Sequence, residues 1–361
     1  MASIPKLRRK RRFARIAATV ILFILLIASA GALYLWNGLQ PAKAGAAVRV
    51  DIPSGTGTLK IAEILESRGI IRNKEIFAAY LKYKGEGNRF QAGVYDLTPG
   101  STLDQVIAKL NAGDTVKAEM IRFTIPEGYT VEQIAGKLEE AGYVKASDFL
   151  ALDKTPGKLE LNLPKGADPT AAGLRFPLEG YLFPETYEMK KGSTAAEILK
   201  RMTKEAADKL AAIPDLEKKL AERKLTLHQL LTVASLVEKE AAVPAERPLI
   251  AGVIYNRMKV NMRLEIDATV QYALGQTKDR LLDKDLQVDS PYNTYRHMGL
   301  PPGPIAGPGL DSIEAALNPK ASDYLFYVTK KDGSREHLFA KTFAEHQKNI
   351  AESKKQAAAN P

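Results

Sequence analysis

Ile16 to Trp36 is a run of twenty-one residues without a charge, and it divides the chain before any fold can be considered. At about 1.5 Å per residue, a helix of that length crosses a bilayer core of roughly 30 Å. Seven of the ten net positive charges, on Lys6, Arg8, Arg9, Lys10, Arg11, Arg12 and Arg15, stand directly before it, and the amphipathic aromatics Tyr34 and Trp36 close it. Cations on the N-terminal side alone make residues 1–15 a cytoplasmic basic tail and residues 16–36 a transmembrane helix, and they place everything after Trp36 on the far side. A cleaved signal peptide is the competing reading, because Ala28-Ser29-Ala30 has the small residues of a cleavage site. The apolar stretch exceeds the roughly 7–15 residues usual for such a segment, which favours a retained anchor. With the basic cluster abutting a membrane span, a nucleic-acid partner is not expected. A chain without cysteine has neither disulfides nor thiol chemistry.

About 325 residues follow the anchor, more than one hydrophobic core usually takes. Residues 37–47, ending in an Ala-rich stretch, read as a linker. An internal repeat then appears at an offset of 73 residues: Ile52-Pro53-Ser54-Gly55 through Gly69-Ile70-Ile71 matches Ile125-Pro126-Glu127-Gly128 through Gly142-Tyr143-Val144. Gly100 to Ile107 is a partial third copy. Each copy reads as a strand, a Gly turn, a polar residue at the helix entry and an amphipathic helix, ended by Gly in the two full copies. Residues 48–113, with Val94 to Leu97 as a second strand, have the look of a small peptidoglycan-binding LysM-like module; a generic α+β unit is the alternative.

The expected fold class is α+β: the N-terminal transmembrane helix, the small LysM-like module, then a larger mixed α+β catalytic domain over residues 119–352. Within the latter, residues 151–178 hold many Pro and Gly residues and read as irregular. Helices are expected over 195–202, 206–220 and 249–261, and Pro291 to Pro308 is a loop crowded with breakers. Strands over 324–328 and 336–339 pair across Asp332-Gly333. A closing helix over 342–353 leads into a mobile tail, residues 353–361.

Thr226 and Gln229 form a capping box at the head of another helix. On it Leu227, Leu231, Ala234 and Glu238 share one side of the wheel, at about 100° per residue, while Lys239 and Glu240 point away. A carboxyl held against apolar neighbours is poorly hydrated as an anion, a condition suited to a general acid. An exposed charge at a fraying helix end, or a structural ion pair with an arginine, is the bland alternative.

Four segments taken together resemble the YceG-like endolytic murein transglycosylases: Glu179-Gly180-Tyr181-Leu182-Phe183-Pro184-Glu185-Thr186-Tyr187; Ala234 to Glu240; Ile254-Tyr255-Asn256-Arg257 continuing to Met262 through Val270; and Tyr292-Asn293-Thr294-Tyr295 continuing to Gly299 through Ile305. The resemblance implies a membrane enzyme that cuts peptidoglycan glycan strands, with Glu238 as the essential carboxylate and no cofactor. It also implies association with glycan polymerases of the penicillin-binding type. The family's frequent Asp-Pro-Thr-Val is here Asp267-Ala268-Thr269-Val270, which replaces a rigid turn. A lytic transglycosylase needs no attacking water, because the sugar's own C6 hydroxyl attacks C1, so one Glu can act first as acid and then as base. A hydrolase would need a second carboxylate, for which Asp267 is the candidate, although a structural turn or a substrate contact is the favoured reading of that residue. A non-catalytic peptidoglycan-binding scaffold of the same architecture is the remaining alternative.

Other residues are weighed as substrate contacts. Glu179, Tyr181, Glu185 and Tyr187 alternate carboxylates with aromatics, a set suited to sugar faces and hydroxyls, although a strand with core aromatics reads the same way. Asn256 and Arg257 suit acetamido or lactyl groups, or a purely structural role. Tyr292, Asn293 and Tyr295 lie in a loop, where binding residues concentrate. Glu240 is a supporting candidate through its closeness to Glu238. The four histidines show no metal-ligand spacing, so no metal is expected.

Overall fold

The computed structural model describes residues 5–116, 119–278 and 280–359, with side chains from residue 15 to residue 358. The first four residues of the expected basic tail, the side chains of residues 5–14, and the last two residues of the expected mobile tail lie outside that description. The chain divides into two units, residues 1–118 and 119–361.

The first unit opens with helix α1 (Pro5–Leu39), of which Arg15–Leu39 is long and apolar enough to cross a membrane, its most apolar eighteen residues being unburied by the protein. Strand β1 (Val48–Ile52), helices α2 (Thr58–Ser67) and α3 (Lys74–Lys84), strand β2 (Gly93–Leu97) and helix α4 (Leu103–Ala112) follow. β1 and β2 pair antiparallel, Val48 opposite Leu97 and Ile52 opposite Gly93, and bury Val50, Ile52, Tyr95 and Leu97 against the helices. α3 is absent from the sequence expectations. Its lysines and tyrosines dilute the apolar period, yet Asn73 caps it by accepting from the Ile76 N–H and Gly85 closes it in the left-handed region.

In the second unit, strand β3 (Met120–Thr124) leads through the Ile125–Gly128 turn to α5 (Val131–Glu140), the strand, turn and helix of the repeat. Helix α6 (Ala146–Asp153), a largely irregular stretch and strand β4 (Thr186–Lys190) come next, β4 pairing antiparallel with β3. Residues 195–220, expected as two helices broken near residue 203, instead form α7 (Ala195–Ala211) and α8 (Leu216–Arg223). Apolar positions recur through Leu210, and the first breaker is Pro214. Helices α9 (Leu227–Glu240), α10 (Arg247–Lys259), α11 (Asp267–Leu274) and α12 (Leu310–Leu317) build the centre. The hairpin β5 (Phe326–Thr329) and β6 (His337–Ala340) pairs Phe326 with Ala340, and α13 (Phe343–Ala359) packs against it. That helix continues through residues expected to be a mobile tail: Ser353 is buried and donates to the Thr329 carbonyl.

α9 is the axis of this unit. Its amphipathic stripe proves to be only part of the truth, since every residue from Leu227 to Val237 except Gln229 is buried, as befits a helix surrounded by others. The capping box forms as expected, Thr226 accepting from the Gln229 N–H while the Gln229 side chain accepts from the Thr226 N–H. α12, α10 and α11 all pack against α9.

Candidate active site

The buried run of α9 that starts at Leu230 ends at Glu238, whose side chain is only 9 % exposed. The helix stops two residues later, where Ala241 turns to extended backbone. Glu238 Oε2 accepts from the Gly309 N–H at 3.0 Å, and Oε1 lies 3.8 Å from Arg247 Nη2. Gly309 is the N-cap of α12, so its N–H belongs to a helix terminus that favours an anion.

The Pro/Gly loop that delivers Gly309 is pinned from two sides. Ser235, one turn before Glu238, donates to the Thr232 carbonyl and accepts from the Ile305 N–H at 3.0 Å. Gly307 exchanges backbone hydrogen bonds with the turn after β3: the Gly128 N–H donates to the Gly307 carbonyl and the Gly307 N–H to the Tyr129 carbonyl, both at 2.8 Å. Gly128 has φ +73° and a hypothetical Cβ there would sit 3.7 Å from Glu238 Cγ, so the turn meets the catalytic candidate through bare backbone. Lys239 Nζ donates to the Gly128 carbonyl from the other side.

Through this clamp a second carboxylate arrives. Glu127, at the tip of the turn, places Oε2 3.9 Å from Arg247 Nη2, the nitrogen that also faces Glu238. Arg247 Nη1 meets Asp311 of α12 at 3.4 Å, while its Nε is buried without a partner. Partial burial, together with the negative charge of Glu238, raises the Glu127 pKa; Arg247 opposes this and Asp311 adds to it. Two clefts share residues with the surroundings of this group. One, of about 270 Å³, is lined by Thr130, Gln133, Lys239, Gln271 and Tyr272, and the other, of about 280 Å³, by Arg247, Asp311, Glu314 and Asn318. Among the described residues, no cluster of three or more His, Asp or Glu side chains is arranged to hold a metal ion.

Glu240 faces a different neighbourhood. It accepts from Tyr327 Oη at 2.9 Å, and burial pushes its carboxyl pKa upward, the Tyr327 bond opposing and the charge of Asp267 adding to the rise. Asp267 heads α11 and is held by Tyr295 Oη at 2.5 Å. The residue after it is Ala268 in the first helical turn, a position where proline is tolerated too, so the departure from Asp-Pro-Thr-Val leaves the helix start intact.

Most of the expected substrate contacts are instead parts of the core. Glu179 is 1 % exposed; both its oxygens accept from the Val131 N–H at the head of α5, and Tyr272 Oη donates to it. Burial raises its pKa to about 8, those hydrogen bonds opposing. Tyr181 is fully buried between the Asp168 N–H and His228 Nδ1, and Tyr187 donates to the Phe183 carbonyl. Residues 179–183 run through a turn and a bend and not a strand, so alternation of faces does not apply there. Glu185 pairs with Lys209 and accepts from the Thr186 N–H. Asn256 donates to the Ser322 and Tyr324 carbonyls, and Arg257 to those of Leu325, Arg263 and Leu264. Tyr292 is buried against Tyr272, and Asn293 ties its own loop together through Leu286 and Val288. Most of these side chains are engaged within the fold; the Tyr292 hydroxyl is buried without a partner, and Glu185 keeps 38 % of its side chain exposed.

Glu127, Arg247, Gly309 and Asp311 escape the sequence reading. The repeat held a signal for the first: its two copies agree at Ile-Pro and Gly but differ between them, Ser54 in one and Glu127 in the other. No comparable local signal marks Arg247 or Gly309, whose partners lie on other elements.

A helix-end carboxylate sunk beside an arginine and a helix N-terminus is the candidate site on this α+β scaffold. The chain belongs to the YceG-like family, whose sequence model matches residues 50–352. It is 42 % identical over 307 residues to a protein of Bacillus subtilis (strain 168) named endolytic murein transglycosylase, covering 83 % of each chain. A protein of the same name from Streptococcus pneumoniae (strain ATCC BAA-255 / R6) is 35 % identical over 369 residues, covering 93 % of this chain and 65 % of the pneumococcal one. The crystal structure of a yceG-like protein from Listeria monocytogenes matches with a TM-score of 0.55 and 38 % identity, over 84 % of this chain and 98 % of that one.

Proposed function

We infer that this chain is an endolytic murein transglycosylase that cleaves β-1,4 bonds between N-acetylmuramic acid and N-acetylglucosamine within nascent glycan strands, leaving 1,6-anhydro ends. The observation that carries this reading is Glu238. It is a carboxyl largely withdrawn from water, and its negative charge, once it has given up a proton, is met by the Gly309 N–H and by Arg247. The proton goes to the leaving oxygen as the C1–O bond breaks, and the C6 hydroxyl closes on C1, so no water-activating group on the opposite face of the ring is required. The names carried by the Bacillus and Streptococcus relatives support the same activity.

The apolar helix at Arg15–Leu39 supports single-pass anchoring in the cytoplasmic (inner) membrane, with the basic tail inside and the catalytic unit outside, in the periplasm. So tethered, the enzyme meets growing strands before mature wall and limits their elongation, in the company of penicillin-binding glycan polymerases. The order β1-α2-α3-β2 of the first unit supports a LysM-like glycan-holding role. The test is to incubate the full-length protein in detergent with purified glycan strands and weigh the products. Internal cuts with anhydro ends, lighter by one water than reducing ends, are expected; reducing ends or uncut strands would refute the reading.

A further inference from the structure

Glu127 occupies a place built for a carboxylate. The turn that carries it is clamped to the loop of Gly309 by the paired backbone bonds of Gly128 and Gly307. Its carboxyl rests against the α-carbon of Gly309, where any Cβ would collide with it. Gly309 has φ −73°, a conformation open to every residue, so its lack of a side chain serves space and not backbone freedom. Arg247 Nη2 lies 3.9 Å from Glu127 and 3.8 Å from Glu238, so the two carboxylates stand side by side on one nitrogen. Half of the Glu127 side chain is exposed, against 9 % for Glu238. The equivalent turn of the first unit carries Ser54.

We propose that Glu127 is a second catalytic carboxylate, accepting the proton of the attacking C6 hydroxyl after Glu238 has protonated the leaving oxygen. This rests on the transglycosylase reading above. In a β-linked sugar the leaving oxygen and the C6 hydroxymethyl project from the same face of the ring. The departing and arriving protons therefore pass on one side, where adjacent carboxylates can divide the work. The bookkeeping closes: the C1–O4 bond breaks and O4 takes the Glu238 proton; O6 bonds to C1 and its proton moves to Glu127; Glu127 returns it to solvent and Glu238 is reprotonated. Once Glu238 is an anion its charge raises the proton affinity of Glu127, alongside Asp311 and against Arg247, so the first transfer readies the second. Lys239, held on the Gly128 carbonyl, is a further charge beside the turn.

The experiment uses the full-length protein in detergent with purified glycan strands. Glu127→Gln is expected to lower kcat by about 10²-fold or more with KM within a few-fold, the size of one lost acid–base step. It should also remove one limb of the pH profile of kcat/KM, and the residual products should still be anhydro-ended. Glu127→Asp should restore part of the rate together with that limb. Gly309→Ala, which displaces the carboxylate without removing it, should also lower kcat. Wild-type kcat and an unchanged profile in Glu127→Gln would overturn the proposal, as would a loss of rate matched by loss of folded protein with both limbs intact in what remains. If wild type makes anhydro ends, Glu238→Gln does not and Glu127→Gln equals wild type, this inference alone fails. Reducing ends from wild type would overturn the transglycosylase reading as well.

Discussion

Replacing Glu179 with glutamine tests whether this carboxyl belongs to the fold or to the substrate. Its pKa is raised by burial from an ordinary 4.5 to about 8, so the folded protein holds a proton there that the unfolded chain releases. The sign follows: stability from this group is full below about pH 4.5 and is lost as pH rises through about 8. In that window the slope is about 1.4 kcal/mol per pH unit. Between pH 5.5 and 8 the wild type should therefore lose on the order of 3 kcal/mol that Glu179→Gln does not lose. Asp153, whose pKa burial raises to about 7, leaves a smaller decline of the same sign in both proteins. Glutamine preserves an acceptor for the Val131 N–H and carries no ionisable proton. Hydrogen exchange of peptides from α5 and α9, corrected for intrinsic rates, isolates the opening free energy of the second unit. Parallel curves for the two proteins would refute the burial argument. A stable variant that had lost glycan affinity would return Glu179 to the binding site.

Two further substitutions separate scaffold from chemistry. Arg257→Ala removes donors from three backbone carbonyls; a loss of about 3–5 kcal/mol is expected from the carbonyls left unpaired, read by the same exchange measurement, with KM of the surviving protein unchanged. Tyr327→Phe strips Glu240 of its hydroxyl donor; a cost of about 1–2 kcal/mol with kcat within a few-fold of wild type is expected, and a collapse in rate would make Glu240 more than a structural neighbour.

What the sequence disclosed was local. The apolar run before Trp36, the Thr226 and Gln229 box and the strand, turn and helix of the repeat are written in neighbouring residues, and they can be read without a fold. Glu238 stands out because a charge inside an apolar helical period is itself a local anomaly. Glu179, Tyr181, Arg257 and Asn293 misled because carboxylates, aromatics and amides that bind sugars are the same groups that satisfy buried backbone. Only the partners tell the two uses apart, and Val131 and Tyr272 are distant in sequence from Glu179, as Leu325 is from Arg257. Arg247 and Gly309 were silent for the same reason: neither departs from its local pattern, and each gains its meaning from a carboxylate on another element.

The central claim is that Glu238 supplies the proton that frees the leaving sugar. Glu238→Gln keeps an acceptor for the Gly309 N–H and removes the acid, so the most direct measurement is the yield of anhydro-ended fragments from purified strands by the full-length variant, beside its affinity for uncut glycan. The account predicts release reduced by at least about 10³-fold with binding within a few-fold of wild type. Undiminished scission by the variant would contradict it.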